Sequence, residues 1–502
     1  MLRNVGSTWM VTLVTTAATF VLTPYVIHTL GREGYGTWTL ITALTGYVSL
    51  LALGVPMACV RYLAGHVVKG DTARVNRVVG SCAGLYLVFG AAALVIGGLL
   101  AVLFKAYDIP PALYQQAVLA YFLMVVYVSA GFIGLLPEGI LFAHLDFVPR
   151  NMVRVAGVLL RLSLTVALLK LSASLYVLAL IQMACLAFDF GVAWIVIRRR
   201  HPAIRISLGN FDWGTVRTIF SFSLYVLLMH AGIRLSFETD ALIIGAFLGV
   251  GAVAFYAVAN SLIVYLMEFI VAIAAVVSPM ATRLMAEGKR DELREIFLRW
   301  SKVAFSLSLL AGVFLIVLGP RFMGRWIDPS FEEPAGQVLQ ILMVSSLLFL
   351  PVRGVALPIL MGIGKPKAPT IAFLIAGILN VGLSIILAGP LGLAGVALGT
   401  AIPNVLFAAV VLVVVCRELG VTISEYTRYV VPRAVIGSVP VLALLLWFKL
   451  GLHVSEMVGL IAAGSAMVVL FGITWLFYVY RDDPYVNVRS HLVRFGAGRF
   501  SR

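Results

Sequence analysis

Apolar positions along this chain do not alternate with polar ones at the period of a strand or of an amphipathic surface helix. They run together in fourteen stretches separated by short polar loops. The stretches fall at about 5–30, 38–60, 78–104, 115–141, 152–170, 174–197, 218–247, 251–280, 303–319, 336–361, 369–388, 391–416, 432–450 and 456–480. Each has at least the roughly 17 residues that a helix needs to cross the ~30 Å hydrocarbon core of a bilayer. The pattern predicts an all-α polytopic membrane protein with fourteen transmembrane helices. The first stretch follows a single Arg3, lacks a small-residue cleavage site and is longer than the apolar core of a signal peptide, so it is expected to stay in the mature chain.

The pattern also repeats. Leu30-Gly31, followed by Gly36 and Trp38, recurs 218 residues later as Leu248-Gly249, followed by Ala254 and Tyr256. Phe142 through Arg161 lines up with Met361 through Asn380 at an offset of 219. Six stretches separate the copies, an even number, so both copies are expected in one orientation: two six-helix lobes in parallel repeat, plus two C-terminal helices. The expected organisation is an N-lobe at 1–200 with spans 1–6 and a C-lobe at 201–430 with spans 7–12. Spans 13–14 follow at 431–480, then a basic cytoplasmic tail at 481–502.

Composition agrees with a membrane protein. Hydrophobic residues make up 62%, charged residues 12%, and the mean hydropathy is +1.05, which excludes an ordinary soluble domain. Cys59, Cys82, Cys185 and Cys416 all lie in apolar stretches and offer neither a disulfide framework nor a metal-ligand spacing. The net charge of +15 is topological rather than a nucleic-acid patch. Alternate loops together with the N-terminus carry 28 of the 37 Lys and Arg residues, and the opposite loops carry six. The excess places both termini of this multi-pass protein in the cytoplasm.

Polar residues inside the apolar stretches carry the candidate chemistry. Arg234-Leu-Ser-Phe-Glu238-Thr-Asp240 sits in the middle of the 218–247 stretch, where each charge costs roughly 3 kcal/mol on insertion scales. Glu238 is four residues after Arg234 and can pair with it on one face, whereas Asp240 points about 200° away and needs a partner from another helix. Arg161, Arg234 and Arg353 are the candidate substrate-binding residues, because guanidinium binds phosphate at two points and keeps its charge when buried. Each could equally be consumed in a salt bridge. Asp189, Glu238, Asp240 and Glu268 are the candidate ion-coupling residues, since an uncompensated carboxylate in a dry bundle takes up a proton. Glu138, near the cytoplasmic edge, is expected to be solvated. In the first stretch Thr12, Thr16, Thr19 and Thr23 share a helix face that ends at Pro24, a site for a bend. They are candidates to line a cavity, as is His230, although threonines of a tightly packed helix would show the same spacing. Pro351 and Pro358 bracket Arg353, and Gly364-Lys365-Pro366 lacks the spacing of a nucleotide-binding loop. No metal, cofactor or nucleic-acid partner is expected.

Tyr35-Gly36-Thr37-Trp38, then Leu51-Ala52-Leu53-Gly54-Val55 and Arg61-Tyr62-Leu63-Ala64, resemble the amino-terminal signature of the polysaccharide transporter family. Gly362, Lys365, Asn380 and Gly392-Leu393-Ala394-Gly395-Val396-Ala397 with Gly399-Thr400 are similar to its later segment. Ala52 departs from the aspartate often found there. The family comprises flippases for lipid-linked oligosaccharides, within the superfamily that also holds the multidrug and toxin extrusion exporters and the lipid II flippase. The resemblance implies two six-helix lobes around a V-shaped, often cationic cavity, and alternating access driven by an ion gradient or membrane potential. It implies a polyprenyl-pyrophosphate-linked oligosaccharide as substrate. Its expected partners are membrane lipids, a polysaccharide polymerase and chain-length proteins. A drug or cation exporter of the same superfamily is the alternative. An oligosaccharide polymerase or ligase is a poorer fit, because the longest outer loop, about 321–335, is too short to house a reaction site.

Overall fold

Glycines set the sharp bends in the longest helices. In the computed structural model the helical segment Leu2–Val48 is two helices that meet at Gly31, which alone leaves helical angles (φ 73°, ψ 170°). Another helix, Lys367–Leu419, has Gly392 in the same role (φ 58°, ψ −135°). Side chains with a Cβ avoid this backbone region, so each helix is two arms joined at a residue that needs none. The structure describes residues 2–52 and 54–485, with the side chains of these except 2–5, 8, 220–226 and 275. Leu53 of the family signature, and the expected basic tail beyond residue 485, lie outside the described residues.

The chain divides into two compact units, Met1–Ala257 and Val258–Arg502. The first contains α1 (Leu2–Val48), α2 (Val55–Val68), α3 (Thr72–Leu100), α4 (Pro111–Ala143), α5 (Phe147–Leu171), α6 (Leu175–Arg200), α7 (Trp213–Phe237) and α8 (Thr239–Phe247). Then α9 (Val250–Val271) carries the chain into the second unit. That unit continues with α10 (Ala274–Ala286), α11 (Arg290–Val317), α12 (Gly319–Trp326), α13 (Pro334–Pro351), α14 (Leu357–Gly362), α15 (Lys367–Leu419), α16 (Ile423–Val430), α17 (Pro432–Leu446) and α18 (Met457–Thr474).

Among the described residues, eleven helices are long and apolar enough to cross a membrane. The fourteen expected stretches fall on these eleven and on α7–α8. Two of the eleven, α1 and α15, hold two stretches each. Several stretches expected to be continuous are broken. The second leaves the α-helix at Val48, passes through a 3-10 turn at Ser49–Ala52 and restarts after Gly54 (φ 72°). The seventh is interrupted at Glu238, and the eighth between Val271 and Ala274. All four cysteines are buried free thiols.

Three pairs of positive-φ residues match the offsets of the sequence repeat. Gly31 and Gly249 have positive φ and are 218 residues apart, as are Gly70 and Gly288; Leu145 and Gly364 are 219 apart. The helix after Gly70 starts at Thr72 and the helix after Gly288 at Arg290, again 218 residues later. Within the first unit the repeated turns also meet. A Cβ on Gly36 would collide with the Val250 carbonyl and approach the Ala254 nitrogen, and the Arg32 guanidinium lies over the Phe255 ring at 5.2 Å. Gly36 of the family signature is thus a packing requirement.

Candidate functional site

The first unit gathers a polar network where α7 ends. Arg234 on the last turn of α7 pairs with Glu238, the residue at the helix break, as the four-residue spacing predicts. The other guanidinium nitrogen, Nη2, donates to Ser49 Oγ at 3.0 Å. Ser49 begins the 3-10 turn that breaks the second stretch, so two helix interruptions face each other across this bond. Tyr47 Oη hydrogen-bonds Thr239 Oγ1 and reaches the Arg234 carbonyl at 3.5 Å, beside the last ladder bond of α7 from the Glu238 N–H. Gly46 makes the arrangement possible, because a Cβ there would run into the guanidinium of Arg234 and the carboxylate of Glu238.

Asp240, two residues past the break, is 2% exposed and accepts a hydrogen bond of 2.5 Å from Tyr256 Oη on α9. The partner from another helix expected for it therefore includes a phenol. Arg234 and Glu238 keep side-chain exposures of 27% and 36% and remain open to a ligand, whereas Asp240 is buried. His230, one turn before Arg234, is exposed.

A second cluster lies on α5 and α6. Asp189 sits over Gly157, where a Cβ would collide with its carboxylate, and Arg161 is one turn further along α5. Arg161 is within electrostatic reach of Asp189, Tyr127 and Cys185. Arg161 Nε and Asp189 Oδ1 are both buried without a hydrogen-bond partner, an arrangement that costs free energy unless a ligand or water fills it. Glu138 instead pairs with Arg150 at 2.5 Å on the half-exposed end of α4, so the charge expected to be solvated is largely engaged.

The threonine face of α1 spends part of its hydrogen-bonding capacity on its own helix. Thr19 donates to the Thr15 carbonyl at 2.9 Å and Thr23 to the Thr19 carbonyl at 2.8 Å. Thr12 and Thr16 are half-buried, Thr19 is exposed and Thr23 is buried. The helix continues through Pro24, and the departure from helical angles comes at Gly31. Tyr25 Oη donates to the Val166 carbonyl at 2.9 Å and anchors α1 to α5.

In the second unit, Arg353 occupies a π-helical turn, Val352–Ala356, between Pro351 and Pro358. Proline removes ladder donors there, and a widened turn is a frequent result. Its guanidinium lies over Phe373 at 5.8 Å, and the next residue, Gly354, admits the backbone of Ile270. Glu268 is exposed on α9, one turn before that helix ends. The structure thus joins Arg234 to Glu238 and Arg161 to the neighbourhood of Asp189, and puts Arg353 and Glu268 in the other unit. Sequence spacing missed Tyr47, Ser49 and Tyr256. Tyr256 alone carried a signal, as the repeat counterpart of Trp38.

Comparison with known proteins adds the following. The family described as polysaccharide biosynthesis protein matches residues 1–285, and the family described as MatE matches residues 226–386. The uncharacterized membrane protein EpsK of Bacillus subtilis (strain 168) is 22% identical over 426 residues, covering 83% of this chain and 82% of its own. Among solved structures, the lipid II flippase MurJ in an inward closed conformation superposes with a TM-score of 0.73 at 12% identity, covering 95% of this chain and 99% of its own. An inward-facing multidrug resistance MATE family transporter of the MOP superfamily gives 0.66 at 17% identity, covering 82% and 98%.

Proposed function

We propose, from the premise that this chain belongs to the polysaccharide biosynthesis protein family, that it flips a polyprenyl-pyrophosphate-linked oligosaccharide across a bacterial cytoplasmic membrane by alternating access. It is a multi-pass helical membrane protein, a transporter of the superfamily that holds the MATE exporters and the lipid II flippase, rather than an enzyme. The finer reading comprises fourteen crossings, two parallel six-helix repeats and a product destined for O-antigen, capsule or exopolysaccharide. The offsets of 218 and 219 between left-handed residues support the repeat.

The observation that carries the substrate reading is Arg234, held at a broken helix by Glu238, Ser49 and the Gly46 gap while still exposed on one side. Broken helices are where transporters of this kind bind their cargo. In this reading the pyrophosphate exchanges for Glu238 on Arg234, Arg161 and Arg353 serve as further anion sites, and the polyprenyl tail stays in lipid. Thr12, Thr16, Thr19, Thr23, Pro24 and His230 line the path. A polysaccharide polymerase and chain-length proteins would act on the exported product. The match to MatE over residues 226–386 favours a second reading, a cation exporter in which Glu238, Asp240 and Asp189 take the substrate.

Reconstituted protein separates the two. With a fluorescent undecaprenyl-pyrophosphate oligosaccharide in proteoliposomes, Arg234→Lys is expected to slow flipping about tenfold or more, because lysine keeps the charge and loses the planar two-point contact. Efflux of a lipophilic cation by wild-type protein, with no movement of the oligosaccharide lipid, would replace the flippase reading by the exporter.

A further inference from the structure

A groove of about 860 Å³ lies between α5 and α6, at the end that the loop charges assign to the cytoplasm. Its floor is apolar: Phe147, Met152 and Ala156 on α5, and Val192 and Val196 on α6. Its volume is in the range of sites that enclose a small molecule or one chain of a lipid. From Val192 to Arg199 the α6 wall spans about 10 Å at 1.5 Å per residue. A wall of this composition leaves water out and offers no hydrogen-bonding group to a sugar.

The lip of the groove is cationic, and its charges are unequally engaged. Arg198 lies over the Trp194 ring at 4.8 Å. Arg200 pairs with Asp146 at 3.0 Å, and Asp146 also accepts His201 Nε2 at 2.7 Å, which fixes the α4–α5 turn to the end of α6. Arg199, between the two engaged arginines, lines the groove, is exposed, and pairs with no carboxylate among the described residues. Two arginines, Arg199 and Arg200, against Asp146 leave the lip positive by about one charge, and Arg198 lies outside the lining on the Trp194 ring. An apolar floor capped by one free guanidinium matches an amphiphile with a single phosphate. A zwitterionic head would bring its ammonium against the same positive lip. Basic pockets between helices on the cytoplasmic side are where anionic lipid head groups bind.

We propose that the groove between α5 and α6 is a binding site for one anionic glycerophospholipid of the surrounding membrane, its acyl chain against Ala156, Val192 and Val196 and its phosphate on Arg199. The site is separate from the Arg234 network, and the proposal requires only a membrane protein, whatever cargo it carries.

The test is native mass spectrometry of the full chain released from nanodiscs of phosphatidylglycerol, phosphatidylcholine or an equal mixture. Wild-type protein should retain one phosphatidylglycerol in preference to phosphatidylcholine. Arg199→Gln should reduce that retention at least fivefold, while Arg198→Gln, which only releases Trp194, should not. Val196→Phe should reduce it by filling the floor, and a monodisperse peak in size-exclusion chromatography confirms that each variant is folded. Equal retention in Arg199→Gln, or equal retention of the two lipids by wild-type protein, would overturn the proposal. So would displacement of the bound lipid by stoichiometric undecaprenyl pyrophosphate, which would assign the groove to the transported lipid.

Discussion

Asp240 is the carboxylate on which coupling to an ion gradient can be tested most sharply. It is buried, it sits two residues from the Arg234–Glu238 pair, and it accepts a hydrogen bond from Tyr256 on α9. Asparagine has the shape of the protonated acid and still accepts from the phenol, so Asp240→Asn should fold and bind substrate yet lose gradient-driven turnover. A well-expressed Asp240→Asn protein whose flipping in liposomes still follows an imposed pH gradient at the wild-type rate removes Asp240 from coupling. A protein that fails to accumulate, with Asp240→Glu restoring it, makes Asp240 a staple between two helices. At this scale the chain was legible only where partners lie on one helix. The i,i+4 pairing of Arg234 with Glu238 follows from helical geometry, whereas the bonds to Ser49, Tyr47 and Tyr256 join elements remote in sequence and leave no spacing to read. Lys302 illustrates the same limit: by sequence it belongs to a basic loop, yet it is 1% exposed in the structure.

The helices were legible from hydropathy, and of their breaks only the π-helical turn between Pro351 and Pro358 was signalled, by its prolines. A break at Glu238 or at Ser49–Gly54 costs hydrogen bonds that only tertiary partners restore, and those partners are invisible in the local pattern. The end of the last helix shows what such partners do. Lys302 Nζ on α11 pairs with Asp483 at 2.5 Å, donates to the Val479 carbonyl at 3.0 Å, and lies over the rings of Tyr429 and Tyr480. Tyr429 Oη donates to the other oxygen of Asp483 at 2.8 Å. Asp483, in the segment expected to be a basic cytoplasmic tail, is therefore fastened to α11 and α16. Removing one member of a buried pair strands the other, at a cost of about 3–5 kcal/mol. Asp483→Asn should lower the apparent Tm in detergent by several degrees, and Lys302→Met with Asp483→Leu should recover most of the loss. A double variant as unstable as the single one would show that the hydrogen bonds to Val479 and Tyr429, not the charges, hold the helix end.

For the molecule as a whole, topology is the property that the sequence reached through charge counting and that reporters can test directly. Positive-φ residues recur at offsets of 218 and 219. In the proposed parallel repeat, an even number of stretches between copies would give both copies one topology. The breaks within α7–α8 and after Val48 complicate a count made from helices alone, since the proposed fourteen crossings count a broken helix once and a helix bent at Gly31 or Gly392 twice. Ser330 lies in an exposed turn before α13, with nine stretches preceding it. Residues before Asp483 are unsuitable for a fusion because an insertion there would separate Asp483 from Lys302, so the second reporter belongs after Arg502. Alkaline phosphatase at Ser330 should be active and green fluorescent protein there dark, with the reverse at Arg502. The expectation follows from an odd number of crossings before the first site and an even number before the second, with Lys and Arg concentrated on the inner side. If both sites report the same side, then either a stretch counted as a crossing re-enters on its own side, for which the segment broken at Glu238 is the first to examine, or Gly31 and Gly392 bend helices that do not turn back across the membrane.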